Sequence, residues 1–488
     1  MNSVARKIPH AAWLAVPLAC VLYFWGLDRA GLLGPDEPRY AAVAQAMART
    51  GDWVTPRLWG EPWFEKPALL YWMTASGFRL GLGAELAPRL PVAALALAFL
   101  AFYWWMLRRE YGTGAACYSA LILGTSLGWV GFSQIGVTDL PMTAFYAAAM
   151  LLALPWVSRY DARLLPAAAA LLGLAVLAKG LVPLVLALPL VMRGRIRELV
   201  RLRVITPFLV FAVPWYVLCY ARNGAVFPKV FFWQHHFSRF TSPDLQHSQP
   251  WWFYVPVLLA GLLPWAPLLF LARVKHSPVL DYRRWYLLFW VVLGFIFFSV
   301  AANKLPGYLL PLLPAISALM GIGLAEAANA RVALAACGLL LVVFPIAATI
   351  LPQAVAGGLS RASLGAWNWI WLLPGAAMAL VWLLESHGPR IAAAGLVAAG
   401  AASGYLYLKS AVMPEVDRQA SARGLWQRIE PHAADVCVEG ISRAWRYGLN
   451  YYSTTPLPEC NEGQKPMVVR QARGAPPDLA PSTAGNQR

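Results

Sequence analysis

Two carboxylates stand side by side in Gly34-Pro-Asp-Glu-Pro-Arg-Tyr40, and a carboxylate and an amine in Trp63-Phe-Glu-Lys-Pro67. Both segments are punctuated by proline and lead into stretches with helical spacing of apolar residues. A carboxylate at a helix start is held by the backbone dipole and aimed in a fixed direction. Asp36 and Glu37 therefore read either as capping groups or as oriented acid–base groups. Lys66 beside a helix start makes an anion site, because its ammonium and the free backbone N–H groups point the same way. A phosphate bound there would depart as a stabilised anion, with Glu65 as a metal ligand or an orienting group. The bland reading of Glu65-Lys66 is a solvated ion pair worth under about 1 kcal/mol.

Other candidates lie far along the chain. His235 and His236, with Arg239 following, sit among Phe231, Phe232, Trp233 and Phe237. They read as polar neighbours of an aromatic membrane anchor, as a divalent-metal site shared with a carboxylate, or as a phosphate clamp. Adjacent histidines do not easily bind one ion from a regular element, so one of the two is expected to ligate. Asp139 opens a helical stretch in Gly136-Val-Thr-Asp-Leu-Pro141, as a cap or a site residue. Lys304 and Tyr308 fall where prolines interrupt a helix. Lys304 either snorkels or contacts a lipid phosphate, with Tyr308 donating a hydrogen bond. No Walker pattern, dinucleotide-binding glycine pattern or nucleophile triad is present. Nucleotide chemistry is not indicated, and a lipid-borne substrate fits better.

The elements that must position these residues are apolar. Of 488 residues, 59% are hydrophobic and 13% charged, against about 25% charged in soluble domains. The chain reads as an all-α polytopic membrane protein. About thirteen apolar runs approach the roughly 20 residues a span requires. The first, 11–27, lacks a small-residue cleavage site and is expected to be retained. The pair around Lys179, at 163–178 and 180–193, is short and reads as two spans, one kinked helix or a re-entrant hairpin. The net charge is +17, but the basic residues form no tract, so nucleic acid is not an expected partner. They fall in alternate connections, which include Arg108 and Arg109, Arg159 and Arg163, and Arg193 to Arg203. The positive-inside rule then places the N-terminus in the cytoplasm and the C-terminus outside. Asp36, Glu37, Glu65, Lys66, Asp139, His235, His236, Arg239 and Lys304 all fall on the outer side.

Two long outer loops, 28–87 and 222–250, carry the candidate site within a transmembrane region 1–409. The first loop is expected to hold two interfacial helices, from Pro38 to about Arg49 and from Pro67, each with proline at its first position. Residues 410–473 read as a small extracytoplasmic α/β appendage, with a helix from Asp417 to Glu430 and strands at Asp435–Val438 and Met467–Val469. Cys437 and Cys460 are plausible disulfide partners there. The remainder, 474–488, is rich in Pro, Ser and Gly and is expected to be disordered.

Six motifs in order carry a family resemblance: Asp36-Glu-Pro-Arg-Tyr40, Gly51-Asp-Trp-Val-Thr-Pro56, Phe64-Glu-Lys-Pro67, Val137-Thr-Asp-Leu-Pro141, Ala178-Lys-Gly180 and Lys304-Leu-Pro-Gly-Tyr308. They resemble the GT-C glycosyltransferases that include bacterial lipid A aminoarabinose transferases and dolichyl-phosphate-mannose protein mannosyltransferase-like enzymes. The resemblance implies a polyprenyl-phosphate sugar donor, a lipid, glycan or protein acceptor, and an inverting transfer at the outer face of a bacterial inner membrane. By position, Asp36 resembles the catalytic carboxylate and Lys66 the donor-phosphate contact. Glu65 resembles a metal ligand with His235 or His236 as partner, for a divalent cation such as Zn, Mg or Mn. Arg39, Tyr40, Glu37, Asp139, Arg239, Lys304 and Tyr308 resemble donor-site residues. Trp63 stands where relatives often carry Tyr. A monomer is expected. The rival reading is a transporter of a lipid-linked sugar, for which Lys179 is the supporting position.

Overall fold

The computed structural model describes residues 11–238, 249–272, 281–365, 367, 369–462, 465–472 and 474–482. It opens with α1 (Ala11–Phe24), α2 (Asp36–Thr50), a hairpin of β1 (Arg57–Leu58) and β2 (Glu61–Pro62), α3 (Leu69–Arg79) and α4 (Gly83–Tyr111). Among the described residues nine helices are long and apolar enough to cross a membrane. They number ten if the bent pair α5 (Thr113–Thr125) and α6 (Leu127–Ser133) is one span. The rest of the expected thirteen runs are helical but shorter: α1, Val182–Met192 and Trp251–Gly261. By their length among the described residues these three fall short of a full crossing.

Two spans form the centre. In α7 (Asp139–Arg159) and in Pro306–Glu326, 94% and 83% of the apolar window lies inside the protein. These are the two helices whose starts carry Asp139 and Tyr308. Small residues let spans approach closely. A methyl on Gly321 would lie 2.1 Å from Ser119 Oγ, and one on Gly173 would lie 2.8 Å from the Phe208 carbonyl. Polar groups between spans are paired, as an apolar surround requires. Tyr103 donates to the Pro314 carbonyl (2.7 Å) and Tyr146 to the Leu186 carbonyl (2.8 Å).

Arginines gather the helix ends on one side. Arg159 binds Glu110, Arg284 binds Asp281 and Glu326, and Arg390 reaches the Leu324 and Ala327 carbonyls. Asp139 and Lys179 meet at the opposite ends of α7 and α8 (Ala162–Lys179).

The interfacial helices exist with shifted starts. The first begins at Asp36, so Pro38 is its third residue rather than its first, and the carboxylates of Asp36 and Glu37 occupy the first turn. The second begins at Leu69, two residues after Pro67.

Beyond the last span, Arg390–Ala420, the expected single helix from Asp417 is broken. Ser421 is extended and its Oγ caps the backbone N–H of Arg423, starting a separate helix, Arg423–Ile429. Strands β3 (Val436–Glu439) and β4 (Met467–Arg470) pair in parallel. A third strand, β5 (Asp478–Pro481), pairs antiparallel to β4 within the stretch expected to be disordered. Leu479 packs against the appendage core, which supplies apolar contact the composition did not reveal. Cys437 and Cys460 form a disulfide.

One buried ion pair ties this frame together. Glu37 is 2% exposed and Arg89 4%. All five guanidinium N–H groups of Arg89 are used: two on Glu37 (2.7 and 2.8 Å) and three on the carbonyls of Leu27, Ala30 and Gly31. Glu37 also accepts from the backbone N–H groups of Leu33 and Gly136, each at 2.9 Å. Removing one partner of such a pair leaves an uncompensated buried charge, which costs about 3–5 kcal/mol. Arg89→Met is expected to lower stability by that order in detergent-solubilised thermal or denaturant unfolding. Arg163→Ala, at a side chain 90% exposed, is expected to stay within about 0.5 kcal/mol of the parent.

Candidate active site

The first turn of α2 sends its two acidic side chains in different directions. Glu37 turns inward to Arg89, while Asp36 stays at the rim with its side chain 48% exposed. Arg39, one turn on, reaches both Asp36 Oδ1 (2.5 Å) and Glu65 Oε2 (2.9 Å). The other Glu65 oxygen meets Lys66 Nζ at 3.2 Å. Asp36 and Lys66 are therefore linked through Arg39 and Glu65 in one chain of alternating charge. Burial disfavours the Arg39 cation, but Glu65, Tyr40 and Asp36 outweigh it and hold the guanidinium firmly protonated. Tyr40 and Tyr71 are pushed well above the usual phenol range, first by burial and then by Glu65. Both act as neutral hydrogen-bonding groups at neutral pH.

The Gly51-Asp-Trp-Val-Thr-Pro56 motif is structural. Asp52 Oδ1 accepts from the backbone N–H groups of Val54 and Thr55 (both 3.1 Å) and from Arg222 (2.8 Å). Asn223 donates to Thr55 Oγ1, Trp215 to the Val54 carbonyl and Trp72 to the Trp53 carbonyl. This loop is thereby fastened to α3 and to the helix Leu202–Asn223, fixing the frame on which Glu65 and Lys66 sit.

A second cluster joins three separate motifs. Lys179 Nζ lies 2.6 Å from Asp139 Oδ1 and 4.9 Å from the centre of the Tyr308 ring. Gly307 allows this approach, since a methyl there would fall 2.5 Å from Asp139 Oδ1. Lys179 thus sits at the end of α8 paired with a carboxylate, not as an uncompensated charge. The two clusters share a support, because Glu37 holds the backbone of Gly136, three residues before Asp139.

Three expected site residues are buried and held within the protein. Glu37 is saturated by Arg89 and two backbone amides. Lys304 is 7% exposed and donates to the Ala301 carbonyl at 2.8 Å, just past the end of the helix Tyr282–Val300. Tyr40 is 4% exposed and packs against Tyr71. The backbone of His235 and His236 lies in the helix Lys229–Ser238, but their side chains and all of Arg239 fall outside the described residues.

Among the described residues no group of three or more His, Cys, Asp or Glu is placed to hold a metal. Among the described residues Arg39 and Lys66 engage the two oxygens of Glu65, and the side chains of its expected partners His235 and His236 fall outside them.

Sequence reasoning missed Arg89 as a hub and Lys179 as the partner of Asp139. Each is a lone charge in an apolar run, which is itself the signal. It also missed Tyr447, which the appendage helix Arg443–Tyr452 brings 5.3 Å from the Arg39 guanidinium. No local pattern marks that residue.

A sequence model of the family "Dolichyl-phosphate-mannose-protein mannosyltransferase" matches residues 65–218. The chain is 38% identical over 334 residues to an undecaprenyl phosphate-alpha-4-amino-4-deoxy-L-arabinose arabinosyl transferase of Pseudomonas paraeruginosa, covering 63% of this chain and 58% of the relative. It is 34% identical over 346 residues to the protein of that name in Erwinia tasmaniensis, covering 67% and 62%. The chain thus spans about three fifths of these curated relatives. The crystal structure of ArnT from Cupriavidus metallidurans bound to undecaprenyl phosphate superposes with a TM-score of 0.74 at 27% identity, covering 95% of this chain and 87% of that one. The resemblance read from the motifs holds.

Gly307→Ala is expected to keep the fold while displacing the Asp139 carboxylate. Turnover should fall about tenfold to a hundredfold, as for a misplacement near 1 Å. Thermal unfolding alongside steady-state rates would check this: a large loss of melting temperature, or unchanged rates, would contradict it.

Proposed function

Starting from a chain that carries the GT-C fold of the aminoarabinose transferases, we propose that it is a membrane glycosyltransferase. It moves a sugar from an undecaprenyl-phosphate donor to a lipid A-like or related acceptor. The observation that carries this reading is the linked row Asp36, Arg39, Glu65 and Lys66, supported by the likeness to an ArnT that binds undecaprenyl phosphate.

The reaction is a single displacement with inversion. An acceptor oxygen bonds to the anomeric carbon from one face, and the bond from that carbon to the phosphate oxygen breaks on the other. The electron pair leaves on the phosphate. Lys66, with its side chain 12% exposed, stands three residues before α3 and stabilises that developing charge, a form of electrostatic catalysis that needs no reorganisation. Arg39 keeps Glu65 compensated. Asp36, the exposed carboxylate of the row, takes the proton of a hydroxyl acceptor. With an acceptor already ionised, Asp36 orients the substrate instead.

The Arg-bound helix ends face the cytoplasm in this reading, and the site and appendage face the periplasm of the inner membrane. The Cys437–Cys460 disulfide supports that orientation, since disulfides persist in oxidising compartments.

Purified enzyme in nanodiscs, given undecaprenyl phosphate-4-amino-4-deoxy-L-arabinose and lipid A, should form a product heavier by one sugar residue in mass spectrometry. Asp36→Asn should lower kcat by about 10²-fold or more. Lys66→Met should cost about 10²–10³-fold, the size expected on losing one charge-stabilising donor. Wild-type rates in a folded Asp36→Asn protein would remove that assignment.

A further inference from the structure

Around Arg39 lies a set of hydrogen-bond donors that the charged row does not use. Arg39 Nε, the indole N–H groups of Trp59 and Trp63, and the Tyr71 hydroxyl are buried without a partner among the described residues. Arg39 is 4% exposed and Tyr71 0%. Buried donors are rarely left unmade, and each such group requires a reason. Their neighbours are aromatic: the Arg39 guanidinium lies 5.7 Å from the Trp63 ring and 5.3 Å from Tyr447. Trp59 stacks on Tyr447 at 5.5 Å with 24° between planes.

Trp59 adds an independent observation. It and Gly60 form the two-residue turn between β1 and β2, with φ of 54° and 92°. Turns with positive φ at both positions favour Asn-Gly. A tryptophan held in the left-handed region is strained, and such strain concentrates at ligand-binding sites. Its partner Tyr447 is fixed from the appendage side, because Tyr451 donates to the Ala84 carbonyl (2.7 Å) and Tyr452 to Glu85 (3.0 Å).

We propose that Arg39, Trp59, Trp63 and Tyr71, roofed by Tyr447 of the appendage, form a carbohydrate subsite that takes one sugar ring of the donor or of the acceptor. Two features favour a sugar over an anion. The row of Asp36, Arg39, Glu65 and Lys66 carries two cations and two carboxylates, so it offers no surplus positive charge here. The open groups are donors set among flat aromatic faces, which match hydroxyl oxygens on a ring with an apolar face. The appendage is then part of the active site, and this assignment rests on the sugar transfer proposed above.

The test compares Trp59→Phe, Trp63→Phe and Tyr447→Ala with the parent in nanodiscs, varying the same donor and lipid A separately. Losing one donor or ring should raise KM about fivefold, the effect of a single hydrogen bond. A rise in the donor KM alone assigns the ring to the transferred sugar, and a rise in the acceptor KM alone assigns it to the acceptor glycan. Tyr447→Phe keeps the ring and should stay within about twofold. Folded variants with both KM values unchanged would overturn the subsite while leaving the glycosyl-transfer reading intact. A second measurement does not depend on turnover: titration of free 4-amino-4-deoxy-L-arabinose against tryptophan fluorescence. Saturable quenching that Trp59→Phe and Tyr447→Ala abolish upholds the subsite even if the parent transfers nothing, which would instead remove the reading above. Absence of quenching together with unchanged KM values overturns the subsite.

Discussion

A single guanidinium, that of Arg89, decides whether the site exists. In a chain this apolar, a turn such as 27–34 exposes carbonyls that must find donors inside the protein. Arg89 supplies three of them and hands its remaining two N–H groups to Glu37. Glu37 in turn holds Leu33 and Gly136. One ion pair thus fixes where α2 begins and where the loop before α7 runs. Those are the backbone segments that carry Asp36 and Asp139. Both groups are almost wholly buried, so water and salt screen the pair far less than a surface one.

With the backbone fixed, the exposed side of α2 can be reactive. Adjacent positions on a helix point in different directions, so Glu37 stays buried while Asp36 remains half-exposed. Arg39 then shares its charge between Asp36 and Glu65, which compensates the Glu65 carboxylate at 4% exposure. The aromatic groups around this row exclude water and strengthen each electrostatic contact. The same logic places Lys179 against Asp139. A lysine at a membrane-buried helix end is tolerated because a carboxylate and an aromatic face meet it.

The sequence revealed what is written in short, contiguous signals. Apolar runs marked the helices, and Pro-bounded charged motifs marked Asp36, Glu65, Lys66, Asp139 and Tyr308. It set Asp36 apart from Glu37 only through the family resemblance, because which of the two turns inward depends on Arg89, across fifty residues of chain. It marked thirteen apolar runs, of which nine or ten are single long helices among the described residues, since apolar composition says little about where proline will bend a segment. It read 474–488 as disordered from composition, yet four of those residues complete a sheet edge on a core built from distant segments. Pairing of that kind has no local signature.

Tyr447 is the sharpest case of information that only the fold contains. It lies about four hundred residues after Arg39, in a helix whose own pattern reads as an ordinary amphipathic surface. Arg423 binds Asp417 and the carbonyls of Asp28 and Arg29, and Asp417 accepts from the Gly31 N–H. The appendage is therefore docked on the very turn that Arg89 organises from below. Both faces of residues 27–34 are held, one by a buried guanidinium and one by the appendage. A rigid turn between two supports transmits the position of the appendage to the start of α2. The distance from Tyr447 to Arg39 is consequently set by the same constraint that sets Asp36.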